Sequence, residues 1–576
     1  MGDIMISDNI KSKILDLAGR YPKKESAIMP ALMMVQKDNN NYITRDLTRE
    51  VAELLGVPES AAYGVLTYYS MYNTKEVGKY FIQVDTNIPA SLMGACEILK
   101  TVKDELGIEV GQTTSDKMFT LKAVEDLGSC GSCPVIQVND TYYENMTPEK
   151  TVALIKSLRE GVMPPKQDEY NWATVCNILL KNRGVENSVS IDTYKKNGGY
   201  SALVKALEMN PADIISEVKK SMLRGRGGAG FPTGVKWGFL PKNNEKPVYL
   251  ICNADEGEPG TFKDRQIMEY DPHLLIEGMV ISAHALKSQL GFIYIRGEFE
   301  WIAQILENAI EEARRDGKLN NFDIIVHRGA GAYVCGEETA LIESIEGKRG
   351  EPRIKPPFPA VEGLYGCPTI VNNVETLASV PYIVENGAEA YRTFGPSNNN
   401  GFKIFGISGH VNKPGVYEYP MGIPFDELIE AAGGVKGELK AAIVGGLSVP
   451  ILTANELQNL KMDYDSCIKH GTALGSGGVM VINKETSIPK IAKRTIDFYA
   501  HESCGRCAPC RHGSQSIKRI LTNILDGNGK PEDLENILTI CRNVKGVTIC
   551  PTGEAFCVPI ENMVKKFRSE FEDLMK

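Results

Sequence analysis

The sequence predicts a multidomain chain of mixed α/β and α+β units, and three observations carry that expectation. Its 576 residues exceed what one hydrophobic core organises and suit about three to five domains of ~100–200 residues. Strand and helix patterns alternate twice, from Tyr80 and again from Val248, whereas apolar residues at helical spacing dominate both ends. Near the C-terminus, His501-Glu-Ser-Cys504-Gly-Arg-Cys507-Ala-Pro-Cys510 is followed by Cys550 in Thr548-Ile-Cys-Pro-Thr. Three cysteines spaced by two plus a distant fourth can wrap an iron–sulfur cluster where the backbone turns on Gly505 and Pro509. Four thiolates would serve a structural zinc equally well, and a fortuitous group of buried thiols is the third alternative.

Hydrophobic residues make up 43% and charged residues 24% of the chain, with a formal net charge of -9. That balance describes an ordinary hydrated surface without a basic stripe to follow a phosphate backbone, so nucleic acid is not an expected partner. No run reaches the ~20 apolar residues that span a bilayer. The longest candidate, Leu274 to Ile295, is interrupted by Glu277, His284 and Lys287, so direct membrane insertion is not expected. The start, Met1-Gly-Asp-Ile-Met-Ile-Ser-Asp, lacks the basic stretch and apolar core of an export signal. Fourteen cysteines then suit a reducing, cytoplasmic setting.

Residues 1–78 read as a helical bundle. An apolar helical period runs through Ile10-Lys-Ser-Lys-Ile-Leu-Asp-Leu, a helix start falls at Thr48, and Pro58 sits at a first-turn position before Ala61-Ala-Tyr-Gly-Val-Leu. Residues 79–162 give strand (Tyr80-Phe-Ile-Gln-Val), helix (Ser91 to Leu106), strand (Phe119-Thr-Leu-Lys-Ala-Val), strand (Val135-Ile-Gln-Val) and a helix opened by Thr147-Pro148. This order suits a thioredoxin-like unit. Cys130-Gly-Ser-Cys133 has redox-dithiol spacing but follows a strand instead of opening a helix, and reads as two unpaired thiols beside a turn. Pro164-Pro165 and the polar stretch to Tyr170 read as a linker.

Residues 163–398 carry the densest signals. Arg224-Gly-Arg-Gly-Gly-Ala-Gly-Phe-Pro-Thr-Gly-Val-Lys-Trp237 lets backbone amides approach an anion closely while Lys236 supplies a charge, which implies a phosphate-bearing cofactor. Val248-Tyr-Leu-Ile-Cys is a buried-strand run entering the acidic loop Asn253-Ala-Asp-Glu-Gly-Glu-Pro-Gly-Thr-Phe-Lys-Asp-Arg265. Helix and strand runs then alternate to Ile324-Ile-Val-His327, and in such sheets ligands bind beyond the carboxyl ends of strands. Asp255, Glu256 and Glu258 would repel a pyrophosphate, so they are expected to accept hydrogen bonds from cofactor or substrate donors. Gly329-Ala-Gly-Ala-Tyr-Val-Cys-Gly-Glu-Glu-Thr339, Lys355-Pro-Pro-Phe-Pro-Ala360 and Val371-Asn-Asn-Val-Glu-Thr376 complete the set. Residues 399–486 switch to short β runs around one helix, and helical periodicity returns over 487–576. Cys467, His470, Cys541 and Cys557 have no supported ligand spacing and read as buried groups.

The five strings in this order resemble the NADH-binding flavoprotein subunit of complex I, of soluble hydrogenases and formate dehydrogenases, and of electron-bifurcating complexes. The resemblance runs from about residue 165 to 570. It implies FMN held by Gly225, Arg226, Gly227, Lys236, Asn253, Asp255, Glu256, Gly336, Asn372, Asn373 and Thr376. It implies an NADH site lined by Phe231, Phe239, Glu258, Tyr333, Glu337, Glu338 and Phe358, with no catalytic residue beyond the cofactors except Glu258 as a candidate. It further implies a 4Fe-4S cluster on Cys504, Cys507, Cys510 and Cys550, and a Rossmann-like flavin domain followed by a ubiquitin-like β-grasp domain and a cluster-bearing helical bundle. The N-terminal units resemble the small two-iron subunit that accompanies such flavoproteins. Asp85, Ala90 and Asp126 stand where that subunit has cysteines and only Cys130 remains, so no 2Fe-2S cluster is expected and the unit reads as a docking surface.

The function these resemblances imply is a diaphorase: electrons pass between NAD(H), FMN and a 4Fe-4S cluster, with an iron–sulfur electron-transfer subunit as obligatory partner and ferredoxin as a further candidate. The implied setting is a soluble hydrogenase, formate dehydrogenase or transhydrogenase, bifurcating forms included. The alternatives are a respiratory NADH:quinone oxidoreductase subunit and a redox-silent scaffold.

Overall fold

The computed structural model describes residues 5–166 and 170–576. Parts of the N-terminal start and of the expected linker, residues 1–4 and 167–169, lie outside the described residues. The chain forms three sheets among the described residues.

The first sheet joins β1 (Tyr80–Asp85), β2 (Phe119–Val124), β3 (Ile136–Val138) and β4 (Thr141–Tyr143) in the order β2-β1-β3-β4, with β1 parallel to β2 and antiparallel to β3. Helices Ala95–Leu106 and Pro148–Arg159 pack on it. The helix expected from Ser91 is two: Ile88–Leu92 and Ala95–Leu106 are separated at Gly94, whose φ of 100° no other residue type adopts cheaply. Four helices precede this sheet, Asp8–Ala18, Ile28–Asp38, Arg45–Leu55 and Glu59–Leu66. Thr48 does not start the third. Thr44 does, its side chain accepting the Leu47 N–H, while Thr48 is buried one turn inside and donates to the Thr44 carbonyl at 2.8 Å.

A short strand, β5 (Asn171–Thr174), follows directly after the expected linker. The central sheet follows, with β6 (Tyr249–Ala254), β7 (Leu290–Ile295), β8 (Asp323–Arg328) and β9 (Thr369–Asn373) all parallel in the order β8-β7-β6-β9. Alternation along these strands serves two cores. Leu250, Cys252, Ile293 and Ile324 face helix Pro272–Leu286, whereas Ile251, Phe292, Tyr294 and Ile325 face the N-terminal helices. The N-terminal bundle is therefore one layer of the central domain, and Tyr21 seals the contact by bonding His327 at 3.0 Å.

The third sheet has the order β13-β12-β14-β10-β11-β5, built from β10 (Phe402–Gly409), β11 (Gly415–Pro420), β12 (Leu439–Val444), β13 (Ile451–Thr453) and β14 (Gly478–Asn483). β5 pairs parallel to β11 from far earlier in the chain. The anchor is Glu418 on β11, whose buried carboxylate accepts the N–H groups of Ile178, Leu179 and Leu180 just after β5. Helices Ile488–Glu502, Ala508–Leu525, Asp533–Val544 and Thr552–Lys566 form the last bundle. Among the described residues no helix is long and apolar enough to cross a membrane.

Glu418→Ala strands three backbone donors in a buried place, a loss of about 3 kcal/mol or more. It should lower the thermal midpoint and open residues 174–180 to protease; an unchanged midpoint and digestion pattern would refute the anchoring role.

Candidate functional site

The loops leaving the carboxyl ends of β6, β8 and β9 enclose a cavity of about 460 Å³. Nine of the expected residues line it: Gly227, Asn253, Asp255, Glu256, Gly336 and Asn373 from the flavin set, and Glu258, Tyr333 and Glu337 from the nucleotide set. Ser448 and Ser476 reach it from the third sheet, and Pro551, Thr552, Glu554, Ala555 and Val558 from the helix that follows Cys550.

The three acids of the loop do different work. Glu256 does not await a cofactor donor: its carboxylate accepts the N–H groups of Lys263, Asp264 and Arg265, capping helix Asp264–Tyr270, and burial pushes its pKa up to about 7. Glu258 accepts from Tyr333 Oη at 2.6 Å and from Ser448 N at 2.7 Å, and burial raises its pKa against those two bonds. Asp255 Oδ2 is buried with no partner, and burial raises its pKa well above the ordinary carboxylate value. An orphaned acceptor on a cavity wall is what a cofactor N–H would satisfy.

The glycine-rich loop folds back on itself through Gly225 N to Phe231 O at 2.8 Å and Arg224 Nε to Gly230 O at 2.8 Å. Gly228 (φ 139°) and Gly230 (φ 63°) adopt backbone that side chains disfavour, and a Cβ on Gly227 would stand 3.0 Å from Asn373 Cβ. Arg226, Asn372 and Thr376 support this loop from below. Arg226 is fully buried, with its N–H on Thr376 Oγ1 at 2.9 Å and Nη2 on Tyr391 Oη and Asn400 O, while Asn372 Oδ1 accepts from Trp237 Nε1. The Nε and Nη1 of Arg226 have no partner in the fold.

The remaining nucleotide residues stand apart from the cavity wall. Phe231 and Phe239 are 47% and 54% exposed with ring centroids 5.9 Å apart, and Phe358 is 58% exposed, which leaves all three free to stack on a base. An ion-pair chain holds their loops together: Lys236 to Glu338 at 2.9 Å, Glu338 to Lys355 at 3.3 Å, Lys355 to Glu337 at 2.8 Å. Lys236, expected on the flavin, is thus committed to Glu338. Glu337 also caps helix Glu338–Ile345 through Thr339 N and Ala340 N.

Cys504, Cys507 and Cys510 lie at the junction of helices Ile488–Glu502 and Ala508–Leu525, and Cys550 immediately precedes Thr552–Lys566. Burial raises the Cys504 pKa and lifts that of Cys510 to about 11; Cys510 also senses Cys504, Cys507 and Cys550, and Cys504 senses Cys507 and Cys550. Ile549 N donates to Cys507 Sγ at 3.4 Å, Ser503 Oγ lies 3.3 Å from Cys510 Sγ, and Cys550 Sγ reaches Thr552 Oγ1 at 3.3 Å. Among the described residues no three donors converge on single-ion spacing. Thiols that sense one another at one helix junction, with polar groups bonded to three of the sulfurs, fit a cluster, which holds its ligands further apart than one ion does.

Sequence reading missed Lys263, Asp264, Ser448, Ser476 and Thr552. Lys263 and Asp264 sit inside the quoted acidic loop and could have been found as charges beside a predicted cavity. The serines and Thr552 arrive from distant segments with no local signal.

In the first sheet's unit, Asn87 Nδ2 donates to Asp85 Oδ2 at 3.1 Å, Asp126 Oδ1 at 2.6 Å and Cys130 Sγ at 3.3 Å, all buried; Asn87 also caps helix Ile88–Leu92, its Oδ1 accepting the Ala90 N–H at 2.7 Å.

Four family models match. They are described as the Nuo51 FMN-binding domain (residues 218–382), a thioredoxin-like 2Fe-2S ferredoxin (14–159), the NADH-ubiquinone oxidoreductase-F iron–sulfur binding region (490–574) and an SLBB domain (404–451). The chain is similar to an NADH-quinone oxidoreductase subunit of Rhizobium meliloti (strain 1021), 50% identical over 406 residues covering 68% of this chain and 96% of that one. It is 50% identical over 377 residues to the mitochondrial NADH dehydrogenase (ubiquinone) flavoprotein 1 of Dictyostelium discoideum, covering 63% and 79%. Among solved structures, an NAD+-reducing NiFe-hydrogenase in the air-oxidised state matches with a TM-score of 0.85 and 30% identity over 95% of this chain and 93% of that one. The ferredoxin match overturns the expectation of an N-terminal unit without a 2Fe-2S cluster: the unit falls in a family of 2Fe-2S proteins. That expectation equates missing cysteines with a missing cluster.

A methyl at position 227 would press on Asn373 from the cavity side. Gly227→Ala should at least halve the flavin retained per protein, read from absorbance of the purified chain, with an unchanged thermal midpoint; full retention would show that the loop does not form the cradle.

Proposed function

Because this chain belongs to the family of NADH-binding flavoprotein subunits, we propose that it works as the diaphorase subunit of a soluble multisubunit redox assembly of the NAD-reducing hydrogenase kind. It is an NADH-dependent oxidoreductase. The observation that carries the finer reading is one cavity walled on one side by the glycine and acidic loops and on the other by residues 551–558, which start next to Cys550. Nucleotide chemistry and electron exit share a wall.

The chemistry FMN supplies when bound is conversion of the hydride pair of NADH into single electrons for a four-iron cluster. Asn253, Asp255, Gly227 and Asn373 would hold it, with Asp255 Oδ2 accepting a ring N–H. Glu258, fixed by Tyr333 and Ser448 on the cavity wall, would orient the incoming nicotinamide amide. Phe231, Phe239 and Phe358 take the adenine end, and Glu338 takes the adenine ribose. Cys504, Cys507, Cys510 and Cys550 would carry the cluster, with Thr552 between Cys550 and the cavity.

The hydrogenase setting is supported by likeness over 95% of the chain, N-terminal units included. An iron–sulfur subunit docked near the cluster cysteines is the partner this path requires, and ferredoxin is a second acceptor to add in the test. The fourteen cysteines, all free in the structure, suit a reducing cytoplasm. A respiratory quinone-reducing assembly is the second reading, favoured by 50% identity to such a subunit; purification with quinone-reducing membrane subunits would establish it.

Anaerobic titration with NADH should bleach the flavin and bring up a four-iron EPR signal in the same sample. A flavin-loaded chain that NADH leaves oxidised would instead be a scaffold.

Glu338 sets its negative charge against a 2′-phosphate and occupies Lys236 and Lys355, which would otherwise attract one. Glu338→Ala removes that charge and frees Lys236, while Lys355 keeps Glu337, so the NADH-to-NADPH ratio of kcat/KM should fall ten-fold or more, and an unchanged ratio would refute this assignment.

A further inference from the structure

Lys263 is a buried cation on the cavity wall that the flavin and nucleotide sets leave without a role. Resting on the flavin reading above, we propose that Lys263 is a potential-setting residue: its ammonium, balanced by Glu375 and Asp264, stabilises the negative charge that bound FMN gains on reduction and so raises the flavin midpoint potential.

The geometry favours action through charge. The three donors of the ammonium are taken by Asp264 Oδ1 at 2.6 Å, Glu375 Oε2 at 2.8 Å and Asn373 Oδ1 at 3.3 Å. No donor is left over for a cofactor, yet the side chain borders the same space as Gly227, Asn253 and Asn373. Asn373 also donates to Asp264 Oδ2 at 2.6 Å, so the residue expected on the flavin is itself clamped by the pair.

The surrounding charges leave the cation in excess. Glu375 is shared with Lys403 of β10 at 3.2 Å and gives its other oxygen to Ile404 N at 3.0 Å. Arg226 adds a third cation near Glu375. Lys263 and Arg226 thus face Asp264 and Glu375 together with Lys403, whose pKa burial lowers to about 7 so that near neutral pH it adds only part of a positive charge. The acidic loop does less to offset them than its sequence suggests, because burial raises the pKa of Asp255, Glu256 and Glu258 alike. Where water is excluded, such an excess favours whichever cofactor state is more negative.

The test is a redox titration of FMN in the full-length purified chain. Lys263→Met should lower the midpoint so that the reduced-to-oxidised ratio at a fixed solution potential falls ten-fold or more, about 30 mV for a two-electron couple. Lys263→Arg should recover most of it. Glu375→Gln removes a counter-charge and should shift the midpoint upward, a sign that a merely structural ion pair would not produce. If Lys263→Met does not fold as a flavoprotein, the sign for Glu375→Gln decides. A Lys263→Met midpoint within three-fold of the unaltered ratio, or a downward shift for Glu375→Gln, would overturn the proposal. An unaltered chain that takes up no FMN would overturn the flavin reading itself.

Discussion

The ion network of Lys263, Asp264, Glu375 and Lys403 is the constraint on which the rest of the site depends. All four side chains are at most 4% exposed, and each ion taken from water costs several kcal/mol unless its partners are in place. They come from three segments: the acidic loop, the short helix Val374–Ala378 after β9, and β10 of the third sheet. Burial pushes the Glu375 pKa up, and Lys263 and Lys403 more than reverse it, so the carboxylate stays ionised below its ordinary value. Lys403 is the weak member, brought down to about 7 by burial despite Glu375. Any displacement of one segment leaves an unpaired charge on another, so the central and third sheets hold a single relative placement. Asn373, Gly227 and the acidic loop inherit that precision.

That placement explains how four loops from distant parts of the chain meet at one cavity. The parallel sheet delivers Asn253 and Asn373 in register, since Asn253 pairs with Asn373 across β6 and β9. The third sheet contributes Ser448 on Glu258, and the last bundle contributes Thr552, which also touches Cys550 Sγ. The hydrogen bond from Tyr333 N to Glu502 Oε2 at 2.9 Å ties the second glycine-rich turn to the helix that leads into Cys504, Cys507 and Cys510. The spacing between cavity and thiols is thus set by packed elements and not by a flexible tether.

Much of this was legible in the sequence wherever chemistry is concentrated in a string. The glycine loop, the acidic loop and the Asn-Asn turn each announce unusual backbone or charge, and the structure brings Gly227, Asn253 and Asn373 to one wall. The cysteine spacing marked its junction for a similar reason. What the sequence could not say is which polar groups are spent internally. Glu256 looks like a ligand acceptor but caps a helix, Lys236 looks like a phosphate cation but pairs with Glu338, and Arg226 is a strut under its loop. β5 was missed because four residues with two exposed side chains carry no apolar alternation; its pairing with β11 depends on Glu418, some 240 residues away. The N-terminal bundle reads as amphipathic helices, but nothing local reveals that their apolar faces cover the central sheet.

The thioredoxin-like unit belongs to this arrangement through two arginines that flank the acidic loop. Arg296, at the end of β7, donates to Asp126 Oδ2 at 2.8 Å and to the Glu256 carbonyl at 2.7 Å. Arg265 pairs with Glu144 at 3.0 Å across the same boundary and with Glu269 on its own helix. Both guanidiniums are almost fully buried, so separating the units would strand two charges in each direction, at about 3–5 kcal/mol per broken pair. Asp126 is therefore at once a member of the Asp85–Asn87–Cys130 group and a support for the loop that carries Asp255 and Glu258. The shared arginine makes the N-terminal unit part of the frame that shapes the cavity.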